Sequence, residues 1–221
     1  MKSPIIYLIV LLFFQTQSFA QSDEWHIAGF TPVENIKILD ELAEGKDMLK
    51  GDQIFAKARG FFSFSPINSI NNRALTKLRT EASMKGASHI YISYRSIENS
   101  WFSKTSMYTA RIFKESPVTF QEVSQAVKGK KMVLKVETKY SRDQWRATTK
   151  EVNETSNINL NAPLEEKDGK VLIKLRTKDF KSGKYSEGEF YEVIALEGNR
   201  MIVTKEIEKE TGFLMYGVEI Q

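Results

Sequence analysis

The chain has 221 residues, with 32 basic and 28 acidic side chains, a formal charge of +4, a pI near 9.0 and no cysteine. Without cysteine there can be no disulfide, no thiol catalysis, no cysteine-ligated zinc and no acyl anchor on an N-terminal cysteine, so stability must come from packing and hydrogen bonds. Basic and acidic residues are interleaved, as in Lys205-Glu206 and Glu208-Lys209-Glu210; this is the pattern of a solvated surface, not the basic stripe with interleaved aromatics that a nucleic-acid partner requires.

The first residues read as a cleavable signal peptide spanning 1–20. Lys2 is followed by the apolar run Ile5 to Phe14, polar Gln15 to Ser18, and the small-residue pattern Ser18-Phe19-Ala20. Ten helical residues rise only about 15 Å, half of a roughly 30 Å hydrocarbon core. No second run of this kind occurs, so the expected mature chain is exported, periplasmic or secreted, with no transmembrane span. About 200 residues then remain, enough for one large domain or two small ones.

Residues 21–115 read as an α+β domain, a small sheet with one main helix. Short strands are expected at 25–30, 35–39 and 51–62, although Val33, Ile36, Leu39 and Leu42 also fit a helical stripe. A helix is expected over 68–85. Ile70, Ala74, Leu78 and Ala82 recur every four residues and Leu75 widens the stripe, while Arg73, Lys77, Arg79 and Glu81 face away. Asn68 or Ser69 could cap this helix and Gly86 could end it. Strands follow at 88–94 and 104–114. Residues 116–131 form a linker holding a short helix at 119–127. Residues 132–221 read as a small antiparallel β-barrel or sandwich domain, with strands at 132–140, 144–152, 171–176, 189–196, 201–208 and 213–220. Met132, Leu134 and Val136 lie two apart, as do Val171, Ile173 and Leu175, as a sheet with one dry face requires.

Residues 72–92 place Ala82 and Gly86-Ala87 before a β-branched strand, and a later strand ends in Tyr108-Thr109-Ala110-Arg111. This N-terminal half resembles the small α+β domains of the YbjQ and RcsF type. The resemblance implies a sheet carrying one helix and, by analogy with a stress-sensor domain, a sensing or interaction role. The acylated cysteine and cysteine bridges of the Rcs sensor have no counterpart in a chain without cysteine. A metal site, assigned to some relatives, would have only His26 and His89 to draw on.

No G-x-S-x-G, P-loop or H-E-x-x-H pattern is present. Glu165-Glu166 and the alternating Glu206, Glu208 and Glu210 could serve a hydrolase only if two carboxylates converged across a cleft. The chain is therefore read as non-enzymatic, with no catalytic, cofactor or metal residues. The candidate partner-binding residues are Phe61, Phe62 and Phe64, between a strand and the main helix, and Trp101 and Phe102, at the following hairpin. Strand and helix directions bring both segments to one end of the domain, where the aromatics either pack as core or dock an envelope protein or lipid. The expectation is an exported interaction or sensing module. The alternative is a carrier of a small apolar ligand inside the β domain.

Overall fold

A computed structural model describes residues 25–60, 65–101, 103–156, 164–176, 187–207 and 211–221. The signal-like segment lies outside these residues, as do Phe61, Phe62, Phe64, Phe102, Glu208 and Glu210.

Four strands make the first sheet: β1 (Lys37–Leu39), β2 (Leu49–Arg59), β3 (His89–Asn99) and β4 (Lys104–Lys114), in the order β1-β3-β4-β2. The helix α1 (Ile67–Met84) joins β2 to β3, and both of these strands run antiparallel to β4 between them. Alternation puts Ile54, Ala56 and Ala58 of β2 on the same side as Tyr108, Ala110 and Ile112 of β4. The α1 stripe of Ile70, Ala74, Leu78 and Ala82 is fully buried against them. Alanines on both surfaces let helix and sheet approach closely, and each large apolar side chain so buried contributes about 1.5–3 kcal/mol.

The ends of α1 have separate causes. Pro66 occupies the N-cap without a side-chain cap, and its carbonyl accepts from the N–H groups of Ser69 and Ile70 at 3.0 and 3.3 Å. Asn68 and Ser69, expected as caps, are therefore already inside the helix, which starts at Ile67. At the other end Gly86 N–H donates to Ser83 O and Ala87 N–H to Ala82 O, each at 2.9 Å. With Gly86 at φ +69° this is a Schellman stop, as expected for a glycine there.

The second sheet is a seven-stranded antiparallel array: β5 (Met132–Ser141), β6 (Thr148–Ser156), β7 (Leu164–Lys167), β8 (Lys170–Leu175), β9 (Glu189–Glu197), β10 (Arg200–Ile207) and β11 (Gly212–Ile220). The order is β6-β5-β11-β10-β9-β8-β7. It does not close into a barrel, since β6 and β7 remain its two edges among the described residues. Val152 of β6 and Leu164 of β7 nevertheless pack on one core with Met132, Leu134, Ile173 and Val203. The short helix α2 (Phe120–Val127) joins that core through Val123, Ala126 and Val127 and touches β7. It covers apolar surface that a closing strand would otherwise cover. Its start is fixed by a capping box in which Thr119 Oγ1 accepts from Glu122 N–H and Thr119 N–H donates to Glu122 Oε2 at 2.8 Å.

Four expectations are corrected. Residues 25–30 form no strand; they turn at Gly29 and lay Ile27 against Ile194, Ala195 and Ile202 on the outer face of the second sheet. The strand expected at 144–152 starts only at Thr148. Strand β7 was not expected, because Leu164-Glu165-Glu166-Lys167 holds one apolar residue; a two-residue turn at Asp168 (φ 53°) and Gly169 (φ 71°) pairs it with β8. Finally, a bulge between Leu134 and Val136 flips the face of β5. Leu134 pairs with inward Val218, but Val136 pairs with outward Gly217.

The polar face of α1 is also not solvated as expected. Lys77 is 8% and Glu81 1% exposed, because the outer face of the second sheet covers them. Lys77 Nζ donates to Arg142 O at 2.6 Å, and Tyr140 Oη donates to Lys77 O at 3.3 Å. Arg142 Nε and Nη2 donate to Glu81 Oε2 and Oε1 at 2.8 and 2.5 Å. Met84 packs beside Tyr140 and Phe213. The helix therefore lies between the two sheets.

Candidate functional site

The loop ends around β2 and the β3–β4 hairpin meet at one end of the first sheet. Gly60 N–H donates to Lys104 O at 2.8 Å, and Lys104 Nζ donates to Ser65 O at 3.1 Å. The hairpin tip is held by Ser100, whose N–H donates to Ser103 O at 2.9 Å while its Oγ accepts from Ser103 N–H at 3.0 Å. Trp101 sits on this tip at 70% exposure. Of the five candidate partner-binding residues it alone lies within the described chain; Phe61, Phe62, Phe64 and Phe102 fall outside it, although the described flanks Gly60 and Ser65 converge on the hairpin.

The face of the first sheet opposite α1 continues from this tip. Strand register aligns Phe55, Thr109 and Tyr94 in one row across β2, β4 and β3. Lys57, Met107 and Ser96 make the next row, and Arg59, Thr105 and Glu98 the one nearest the hairpin. Phe55 is 41% and Tyr94 56% exposed. Arg111 lies on the same face and donates to Gly51 O at 3.1 Å. Lys57, Arg59 and Arg111 outnumber Glu98, so the surface combines aromatic area with positive charge. At the far end Phe113 is covered by the 3-10 turn Leu42–Gly45, where a Cβ on Gly45 would come within 2.7 Å of its ring. The alternation of Phe55, Lys57 and Arg59 along β2 was the available sequence signal for this face; which side α1 covers was not.

The ionisable residues weighed from sequence are placed apart. His89 is buried, with Nδ1 2.9 Å from Ser88 Oγ, and burial followed by the nearby Lys37 lowers its pKa despite Glu115. His26 is exposed on the far side, against the second sheet. No group of three His, Asp or Glu side chains able to hold a metal occurs among the described residues. Glu165 and Glu166 are exposed on edge strand β7, and Glu206 is engaged by Lys85.

One enclosed carboxylate was not anticipated. Glu137 accepts from Tyr216 Oη at 3.0 Å and pairs with Lys150 and Lys139 at 2.9 and 3.2 Å. Burial pushes its carboxyl up, but the Lys150 and Lys139 ammonium groups and the Tyr216 hydrogen bond outweigh this and hold it below the ordinary glutamate value. Tyr216 is pushed up by burial, with Tyr191 and Glu137 adding to the shift. A carboxylate fixed in the ionised state beside a tyrosine fixed in the neutral state forms a stable hydrogen-bonded unit and not a proton-transfer pair at neutral pH.

No protein-family model matches the chain, and no match is found among curated proteins or solved structures.

Proposed function

We propose that the protein is an exported, non-enzymatic interaction or sensing module of the cell envelope, and that it contacts its partner through the open face of the four-stranded sheet and the adjoining hairpin tip. The observation that carries this reading is the exposure of Phe55 and Tyr94 in one row of the open face and of Trp101 at the adjoining hairpin tip. Large aromatics left in water are a source of binding free energy once a partner covers them. Lys57, Arg59 and Arg111 select for a protein partner that presents acidic side chains around an apolar spot. The signal-like N-terminus supports export to the periplasm or beyond, and the resemblance to YbjQ- and RcsF-type domains supports a sensing role. In this reading residues 21–115 and 132–221 are two domains, the second a sandwich-like unit covered by α2.

The test is native capture from envelope extract by the chain from residue 21 onward, with mass spectrometry of all retained protein and lipid. A single protein should be retained, weakened by salt because Arg59 is exposed and Lys57 and Arg111 are partly so, and lost from the Tyr94→Ala/Trp101→Ala double variant. Both residues are exposed, so the variant's melting temperature should stay close to that of the parent. Retention unchanged by the double variant, or lipid alone in the retained fraction, would overturn the reading.

The alternative, a carrier of a small apolar ligand in the β-rich half, is not favoured by the inner face at Met132, Leu134, Ile173, Val203 and Val218. These side chains pack on one another and on Val123 of α2. A cavity of suitable size among the described residues lies on the outer face.

A further inference from the structure

Strand β2 is an outer edge of the first sheet, and no strand lies beyond it among the described residues. The direction of its free backbone groups follows from its end. Gly60 N–H donates to Lys104 O, so the pairs Ala58–Ser106, Ala56–Tyr108 and Ile54–Ala110 exchange the hydrogen bonds with β4. Antiparallel alternation then turns the N–H and C=O groups of Gln53, Phe55, Lys57 and Arg59 to the open edge. The Arg59 carbonyl shows that direction directly, accepting from Arg73 Nη2 at 2.8 Å and not from β4. The backbone groups of Gln53, Phe55 and Lys57 have no partner among the described residues. The β2 bulge lies between Lys50 and Gln53, so the run from Gln53 to Arg59 is a regular ladder with one side empty. Such a row of unpaired groups is a template for another strand.

The side chains of the same residues stand on the open sheet face, where Gln53, Phe55 and Arg59 are exposed and Lys57 is partly so. Lys57 and Arg59 make no ion pair among the described residues, while Asp52, the one acid of β2, is held by Lys170 and Lys85 at 3.2 and 3.5 Å. The ladder therefore carries an aromatic and two cations in alternate positions and no acid of its own. The other edges lack this combination. The free half of β3 starts at a bulge between Ile92 and Tyr94 and carries both Arg95 and Glu98. Strand β6 loses register between Glu151 and Glu154, and its Lys150 is taken by Glu137. Strand β7 is only Leu164–Lys167, with both signs of charge. A second copy paired edge to edge on β2 would bring Lys57, Arg59 and Arg111 of both chains onto one face, which their like charges oppose.

We infer that an acidic, extended segment of the partner protein adds to β2 as a fifth strand of the first sheet, antiparallel to Gln53–Arg59. The inference rests on the partner surface proposed above and specifies how it is used. A segment running against β2 reads acid-x-acid-x-apolar: the first acid lies opposite Arg59, the second opposite Lys57 and the apolar residue opposite Phe55. All three share the open face because alternate side chains of a strand do. Main-chain hydrogen bonds supply the affinity in this mode, and the alternate side chains select the segment.

The experiment is an NMR titration of the isotope-labelled chain from residue 21 onward, at low ionic strength, with the peptide T-E-V-E-V-F-T and its charge-reversed form T-K-V-K-V-F-T. The acidic peptide should bind one-to-one with a Kd below about 1 mM, and the reversed peptide about tenfold more weakly or not at all. Amide hydrogen exchange should slow most at Gln53, Phe55, Lys57 and Arg59, and least at Ile54, Ala56 and Ala58, which already bond to β4. Lys57→Gln keeps the outward N–H and should weaken the peptide by less than about tenfold. Lys57→Pro removes it, as an edge strand tolerates, and should weaken the peptide about tenfold or more; its spectrum reports folding, and if it does not fold the exchange pattern of the parent decides. Absence of acidic-peptide binding, protection at other amides, equal loss in Lys57→Gln and Lys57→Pro, or a dimer of the chain alone protected at these same amides would overturn the inference. Envelope capture separates it from the reading beneath it. A partner retained by Lys57→Pro but lost from Tyr94→Ala/Trp101→Ala would overturn strand addition and leave the open face as the docking surface, whereas a partner indifferent to both variants would overturn the two together.

Discussion

Two positions show how a single residue carries both a backbone and a packing requirement. Gly86 holds φ +69°, and a Cβ there would lie 2.6 Å from the Cβ of Ile194 on β9. Gly86→Ala is therefore expected to destabilise by more than the roughly 1 kcal/mol of backbone strain alone, measured by urea denaturation. Gly86→Asn keeps the backbone preference but not the space, so it should be no better. Glu137 makes a pH prediction. Its folded pKa is held below 4.5, so its stabilisation is fully present above that value and is lost as pH falls through the lowered one. Glu137→Gln should cost about 1–3 kcal/mol at pH 7, and the difference from the parent should narrow below about pH 4. A constant difference across that window would mean that the charge plays no part.

The main helix was legible as an element and misread as a surface. Its apolar stripe predicts where it sits on the first sheet, but charged residues at Lys77 and Glu81 read as solvated until a second layer is known to cover them. Burying Glu81 without a partner is expensive, and Arg142 supplies the partner from the turn after β5. Arg142→Met should destabilise by about 3–5 kcal/mol, because it leaves a buried charge alone, whereas Glu81→Leu/Arg142→Met together should recover most of that loss. Thermal unfolding of the parent, Arg142→Met, Glu81→Leu and the double variant checks this. Additive effects of the two substitutions would show that the pair does not act as a unit. The hairpin of β7 and β8 failed to register for the opposite reason. A strand at an exposed edge needs almost no apolar residue, and only its Asp168-Gly169 turn chemistry is diagnostic.

Between the sheets the charges form a chain. Glu206 and Asp52 meet Lys85; Asp52 and Glu192 meet Lys170 at 3.2 and 3.4 Å; Glu192 meets Lys114. Asp52, Lys85 and Lys114 come from the first sheet and its helix, and Lys170, Glu192 and Glu206 from the second. Partly exposed pairs of this kind contribute little singly and fix orientation collectively. A fragment ending at residue 115 would uncover Met84 and unpair Glu81, yet it retains the whole core under α1. A two-domain division predicts that this fragment gives a dispersed NMR spectrum with a melting temperature below that of the full chain. A collapsed spectrum would mean that the two sheets fold only as one unit.

The sequence by itself determined most of the elements and their order, though not β7 or the turn at 25–30: the period-four stripe of α1, most of the strands from Met132 onward, the glycine stop at Gly86 and the convergence of the Gly60 and hairpin segments on one end. These follow from short-range periodicity and turn chemistry, which act within a few residues. The tertiary structure decided which faces are wet. The burial of Glu81, the outward turn of Val136 at a bulge, the open aromatic and cationic face around Phe55 and Tyr94, and the free edge of β2 each depend on residues dozens of positions apart. No local period records which of two equivalent surfaces a distant layer will cover.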